Sequence, residues 1–218
     1  QKTDFSRYNY FYAKFLNDEG KKTEAKKILN SALKKYPRNL LLNQFNFDLI
    51  DSKKNFNFNC KELNHIIAEI LYITANALSS QSIFSISNFY LNIAKYLNKD
   101  FHSFDALLAE NFYKIDDTIS AKKIYKEFMA YGDAFSWYSS KQISRILVQE
   151  NNLEKALKLL NKAYDNLPVK GIYETYDFAE FLKNNKKFKE SINYYTKILN
   201  SINFEHPLYP EVTDSRGV

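Results

Sequence analysis

The chain has 218 residues, 45% hydrophobic and 17% aromatic, with only four glycines and four prolines. This is the material of an ordered core with few breakers, and it excludes a disordered or low-complexity polypeptide. One cysteine, Cys60, rules out an internal disulfide; no apolar run reaches the roughly eighteen residues that a membrane span needs; and the net charge of +6, 31 basic against 25 acidic residues, is dispersed as lysines, which describes a solvated basic surface rather than a dedicated anion site.

In chain order, Tyr8, Phe11, Tyr12, Phe15 and Leu16 fall at helical spacing until Gly20, a glycine suited to a helix C-terminus with positive φ. A second helix over 23–36 puts Ala25, Leu29, Ala32 and Leu33 on one side and stops before Pro37. Residues 40–50 read as the next first helix. The asparagine-rich stretch 51–59 has no helical period and is expected to be the most mobile internal segment. Helices are then predicted at about 61–78 and 83–97, 100–113 and 120–131, 135–150 and 153–166, and 173–184 and 188–202. Asn151-Asn152 and Asn184-Asn185 are placed at the tight turns inside two of these pairs, because asparagine tolerates left-handed backbone. Residues 206–218, opened by Pro207 and Pro210, read as the beginning of an incomplete further pair whose apolar side is left uncovered.

Small residues recur at a separation of twelve: Ala13 and Ala25, Ala75 and Ser87, Ala109 and Ala121, Ser144 and Ala156 (156−144 = 12), and Ala179 and Ser191. That spacing marks the level at which two antiparallel helices pass closest, and its repetition marks a solenoid. With Trp137 as the first place of a repeat, Ser144, Ala156, Ala163 and Pro168 occupy the eighth, twentieth, twenty-seventh and thirty-second places. This pattern resembles the tetratricopeptide repeat. The resemblance implies an all-α, right-handed superhelical array of antiparallel helix pairs running as one unit over 1–218. Its repeats fall near 6–39, 68–101, 102–135, 137–170 and 172–205, with an irregular helical segment at 40–67 and the incomplete repeat at 206–218. Phe128 and Ile198 stand where the pattern has a small residue, and looser spacing is expected there. The order of repeats also resembles long exported bacterial multi-repeat proteins. That implies a periplasmic or membrane-associated setting, a chain that begins at Gln1 as part of a longer protein, and further repeats on both sides, although the composition is equally compatible with a cytoplasmic one.

Chemistry is sparsely represented. The three histidines are far apart, and no glycine-rich phosphate loop or nucleophile motif is present. Glu62, His65 and Glu69 share a helix face by spacing but lack a partner cluster, so neither a metal nor a cofactor is expected, nor a small-molecule substrate. Lysine pairs such as Lys26-Lys27 and Lys34-Lys35 near tyrosines are material for a nucleic-acid surface, but they fit the outer, solvated faces of a repeat better. The resemblance places the first helix of each pair on a concave groove. Its second, fifth, ninth, twelfth and thirteenth places map to Tyr72 and Asn76; Ala106, Glu110, Tyr113 and Lys114; Tyr138, Lys141, Arg145 and Gln149; and Tyr173, Tyr176, Glu180 and Lys183. The expectation is a non-enzymatic scaffold that binds a protein or peptide in this groove, a ligand carboxylate lying near Lys141 and Arg145 and its apolar groups against the tyrosines. The competing expectation is a structural spacer in a larger assembly protein, its groove filled by its own chain.

Overall fold

The computed structural model describes residues 5–50 and 58–217, so most of the stretch 51–59 expected to be mobile lies outside the described residues. Among the described residues there are twelve α-helices and no strand. They are α1 Ser6–Asp18, α2 Lys22–Lys35, α3 Leu40–Ile50, α4 Leu63–Ser80, α5 Phe84–Leu97, α6 Ser103–Lys114, α7 Thr118–Phe128, α8 Asp133–Gln149, α9 Leu153–Asp165, α10 Ile172–Asn184, α11 Phe188–Leu199 and α12 Tyr209–Gly217. The heaviest packing is between sequence neighbours: α1 with α2, α4 with α5, α6 with α7, α8 with α9 and α10 with α11. An all-helical chain of this kind is consistent with an α-solenoid.

The five turns inside these pairs are one structure built five times. Each carries a single left-handed residue: Gly20 (φ 80°), Ser82 (63°), Asp116 (62°), Asn151 (61°) and Lys186 (62°). Each also has the backbone N–H after that residue donating to a carbonyl five positions back, as Lys21 to Leu16, Ile83 to Leu78, Asp117 to Phe112, Asn152 to Leu147 and Lys187 to Leu182. These bonds satisfy carbonyls that the end of a helix leaves without a partner. The last four turns are spaced 116−82 = 34, 151−116 = 35 and 186−151 = 35 residues apart. The left-handed position in the last turn is Lys186; Asn184 closes α10, and the Asn185 amide donates instead to the carbonyl of Phe181.

All ten small residues of the twelve-residue pairs are buried. Where the second member is serine the hydroxyl is used: Ser87 Oγ donates to the Ala75 carbonyl at 2.8 Å, and Asn111 bonds Ser79, Ser87 and Asn88, tying α6 to both α4 and α5. Ser144 Oγ donates to the Ala156 carbonyl at 3.1 Å. At Phe128 the ring is fully buried and stacks on Phe135, centroids 4.4 Å apart, so the larger side chain fills the space between α7 and α8. At the other end α12 packs on α11. Its Val212 and Leu208, the residue just before the helix, are buried with Ala179, Tyr195 and Ile198, and Ser215 bonds Glu180 and Lys183. The apolar side expected to be uncovered in 206–218 is therefore covered by the last pair.

One element departs from neighbour-on-neighbour packing. Helix α3 packs on α1 and α2 as sequence order requires, and also on α8, about ninety residues along the chain (134−44 = 90). Its sequence Leu-Leu-Leu-Asn-Gln-Phe-Asn-Phe-Asp-Leu-Ile has apolar groups all round, the composition of a helix enclosed by others. Leu41, Leu42, Gln44, Phe45, Phe47 and Asp48 are all buried. Leu41, Leu42 and Phe45 belong to the core that includes Tyr10, Phe101 and Phe104, while Phe47 enters a second core with Trp137, Leu160, Tyr164 and Phe178. The helix therefore joins the two largest apolar clusters of the described chain.

Candidate interaction face

Three contacts seat α1–α3 on the later helices. At α8, the Gln44 side chain accepts a hydrogen bond from the backbone N–H of Ala134 at 3.0 Å and donates to Asp48 at 2.8 Å. It thus caps a helix start that has no side-chain cap of its own. The approach needs Gly132, because a Cβ there would fall inside the Gln44 amide. Ser139 and Ser140 on α8 are fully buried, small enough to let another helix come close.

The second contact is Arg7 of α1. Its guanidinium forms a bidentate pair with Glu69 of α4, lies 3.8 Å from the centroid of the Tyr72 ring, and reaches Ser103 at the start of α6. Burial alone would lower the Arg7 pKa; the Glu69 carboxylate outweighs it and the net direction is upward, so the cation is fixed. The third contact is Arg38, in the link between α2 and α3. It bonds the Asp177 carboxylate of α10 at 3.0 Å and lies 5.2 Å from the Tyr173 centroid and 5.6 Å from that of Tyr176. Lys141 of α8 pairs with the other oxygen of Asp177 and lies 5.5 Å from the Trp137 ring. Neighbouring Glu174 has its pKa raised, chiefly by burial and further by Asp177, against the opposing effect of Lys141 and Arg38.

The groove residues expected from the sequence thus fall into three groups. Tyr72, Lys141, Tyr173 and Tyr176 touch or share the charged contacts that α1–α3 make. Glu110 and Tyr138 pair with each other, the phenol donating to the carboxylate, and the Tyr138 pKa is pushed far up by burial and by Glu110. Tyr113 accepts a bond from Gln149 at 2.8 Å, while Asn76 and Arg145 are exposed, Arg145 reaching only Gln142 at 3.5 Å. The Tyr176 hydroxyl is pushed up to about 12, by burial first and then by the Glu180 and Glu211 carboxylates. Glu180 itself is held low, because bonds from Tyr195, Lys183 and Ser215 outweigh its burial. Lys141 is paired with this chain's own Asp177 where a ligand carboxylate was expected, and Arg145 has no part in that pair.

Glu62, His65 and Glu69 do not converge. His65 Nδ1 accepts from the backbone of Asn59, Glu69 is committed to Arg7, and among the described residues no group of three metal-capable side chains is gathered. No helix among the described residues is long and apolar enough to cross a membrane. Arg7, Arg38 and Gln44 were absent from the sequence-derived set. The available signal was the all-round apolar composition of 40–50, which asks for more neighbours than one preceding pair supplies. No family model matches the chain, and no curated protein matches it.

Proposed function

We propose that the chain is a non-enzymatic protein-interaction scaffold: a right-handed superhelix of antiparallel helix pairs, of the tetratricopeptide kind, whose concave face receives a helix. In this chain the received helix is its own α3. The observation that carries the reading is the burial of α3 on α8, with Gln44 capping α8 and Arg38 reaching the Asp177, Tyr173 and Tyr176 group on α10. The five like turns and the buried small residues support the repeat. A helix laid in an apolar trough with charged contacts at its ends is a standard mode of peptide recognition. A purely structural spacer is the second reading, favoured by the pairing of Lys141 and Arg38 with a carboxylate of the same chain.

The two readings part when α3 is weakened. In the full chain carrying Leu42→Asp and Phe45→Asp, the native helix should leave its seat while the later pairs keep their helical circular dichroism. A labelled peptide of residues 36–50 should then bind this variant at roughly 10 µM and leave the unaltered chain alone. Absence of binding to a variant that retains its helices would make α3 a fixed strut and the chain a spacer.

A further inference from the structure

The α4–α5 pair has a face that no described helix covers. On α4, Leu63, Ile66, Ile67 and Ile70 recur at helical spacing, and on α5 Ile86 and Phe89 do the same; Ile70 is 56% and Phe89 62% exposed. The residues that hold this pair to α6 lie elsewhere on the two helices: Tyr72 and Ser79 on α4, Asn88 and Lys95 on α5. At about 100° per residue the exposed stripes fall on the side turned away from α6.

Two features decide what fits there. The first is charge. In a chain of net charge +6, α4 and α5 contain one acidic and one basic residue, Glu69 and Lys95, and both are spent inward, on Arg7 and on Asp105. The stripes are edged by Asn64, Ser85 and Asn92, neutral groups. Along the stripes a second copy meets no like-charge repulsion, and the cations beside them, Lys61 before α4 and Lys99 over the Tyr96 ring, are too few to hold an anionic lipid surface. The second feature is area. Between them, α4, α5 and their turn leave nine large apolar side chains 37–75% exposed. At roughly 100 Å² of open surface each, they match the about 800 Å² that each partner gives to a standard interface. Patches of this size on a soluble chain mark contact sites.

From this we infer that the α4–α5 face is a self-association surface, and that two copies of the chain pair through it in a two-fold, face-to-face dimer. The inference is independent of what occupies α8. Sedimentation equilibrium of the full chain between about 1 and 100 µM should show the mass rising from 25.7 kDa to twice that value. Ile70→Asp with Phe89→Asp should remain monomeric over the whole range with unchanged circular dichroism, and Ile70→Ser with Phe89→Ser repeats the test should the charged pair unfold the chain. Tyr8→Asp with Tyr12→Asp, on the exposed aromatic side of α1, should leave the dimer intact. A wild-type chain monomeric throughout overturns the inference, as does a dimer that survives both α4–α5 variants or is abolished by the α1 variant. Monomeric protein that cosediments with neutral phosphatidylcholine vesicles overturns it in favour of a lipid contact.

Discussion

Leu42→Ala should cost about 3 kcal/mol of folding free energy. Leu42 is fully buried in α3, which packs on α1, α2 and α8, and its truncation leaves a cavity there. The loss should also have a distinctive form. Repeat arrays add up stability from local and nearest-neighbour contacts, so a defect at the end of an array usually frays that end alone. Here α3 holds α1 and α2 to the distant α8. Its weakening should free α1–α3 from the later helices and split a single denaturant transition into two, whereas Ile119→Ala, at an 80% exposed position, should leave both midpoint and shape within about 0.5 kcal/mol of the unaltered chain. Urea titrations followed by circular dichroism make the comparison.

Arg7→Met is the other change with a large expected effect. Arg7 and Glu69 are 18% and 12% exposed at their side chains, and removal of the cation leaves a carboxylate held in poor solvent with no partner. Breaking a buried pair from one side costs about 3–5 kcal/mol, and the lower end applies because some water remains in reach. The stacking of the guanidinium on Tyr72 disappears as well. The double variant Arg7→Met with Glu69→Gln removes the charge from both sides and should recover most of the loss. A double variant no more stable than Arg7→Met would show that the arginine acts through packing on Tyr72 and not through its ion pair. Thermal melts of the three proteins at one ionic strength settle the order.

The helix pairs were legible because their signals are local. The twelve-residue spacing of Ala13 with Ala25, or Ser144 with Ala156, reflects two backbones in contact, and only small side chains allow it. Gly20 announced its turn, since glycine takes positive φ without penalty. The break between the helices predicted at 61–78 and 83–97 placed a turn at 79–82, but nothing at Ser82, Asp116 or Lys186 marked the left-handed residue: the turn geometry is imposed by the packed helices on either side, and it outweighs a left-handed cost of about 1–2 kcal/mol in residues that carry a Cβ. The seat of α3 was legible only as an excess. A helix of the composition Leu40–Ile50 must be enclosed, but nothing within its neighbourhood in sequence says that the enclosing surface is α8. The same distance in sequence hid Arg38 and Arg7. Each is an isolated cation in its own segment and gains a meaning only beside Asp177, Tyr173 and Tyr176, or Glu69 and Tyr72. Lys141 could be picked out as a charged position on its helix, yet its carboxylate lies 177−141 = 36 residues away, on a helix whose own acidic residues carry no mark of that role.

Amide hydrogen exchange of the full chain tests most directly whether α3 is enclosed by α8. Backbone amides from Leu42 to Phe47 should exchange as slowly as those of Ile143 and Ile146 in α8, since α3 then opens only when the two cores it joins come apart. Exchange of α3 at the rate of a free peptide, with α8 still protected, would contradict it.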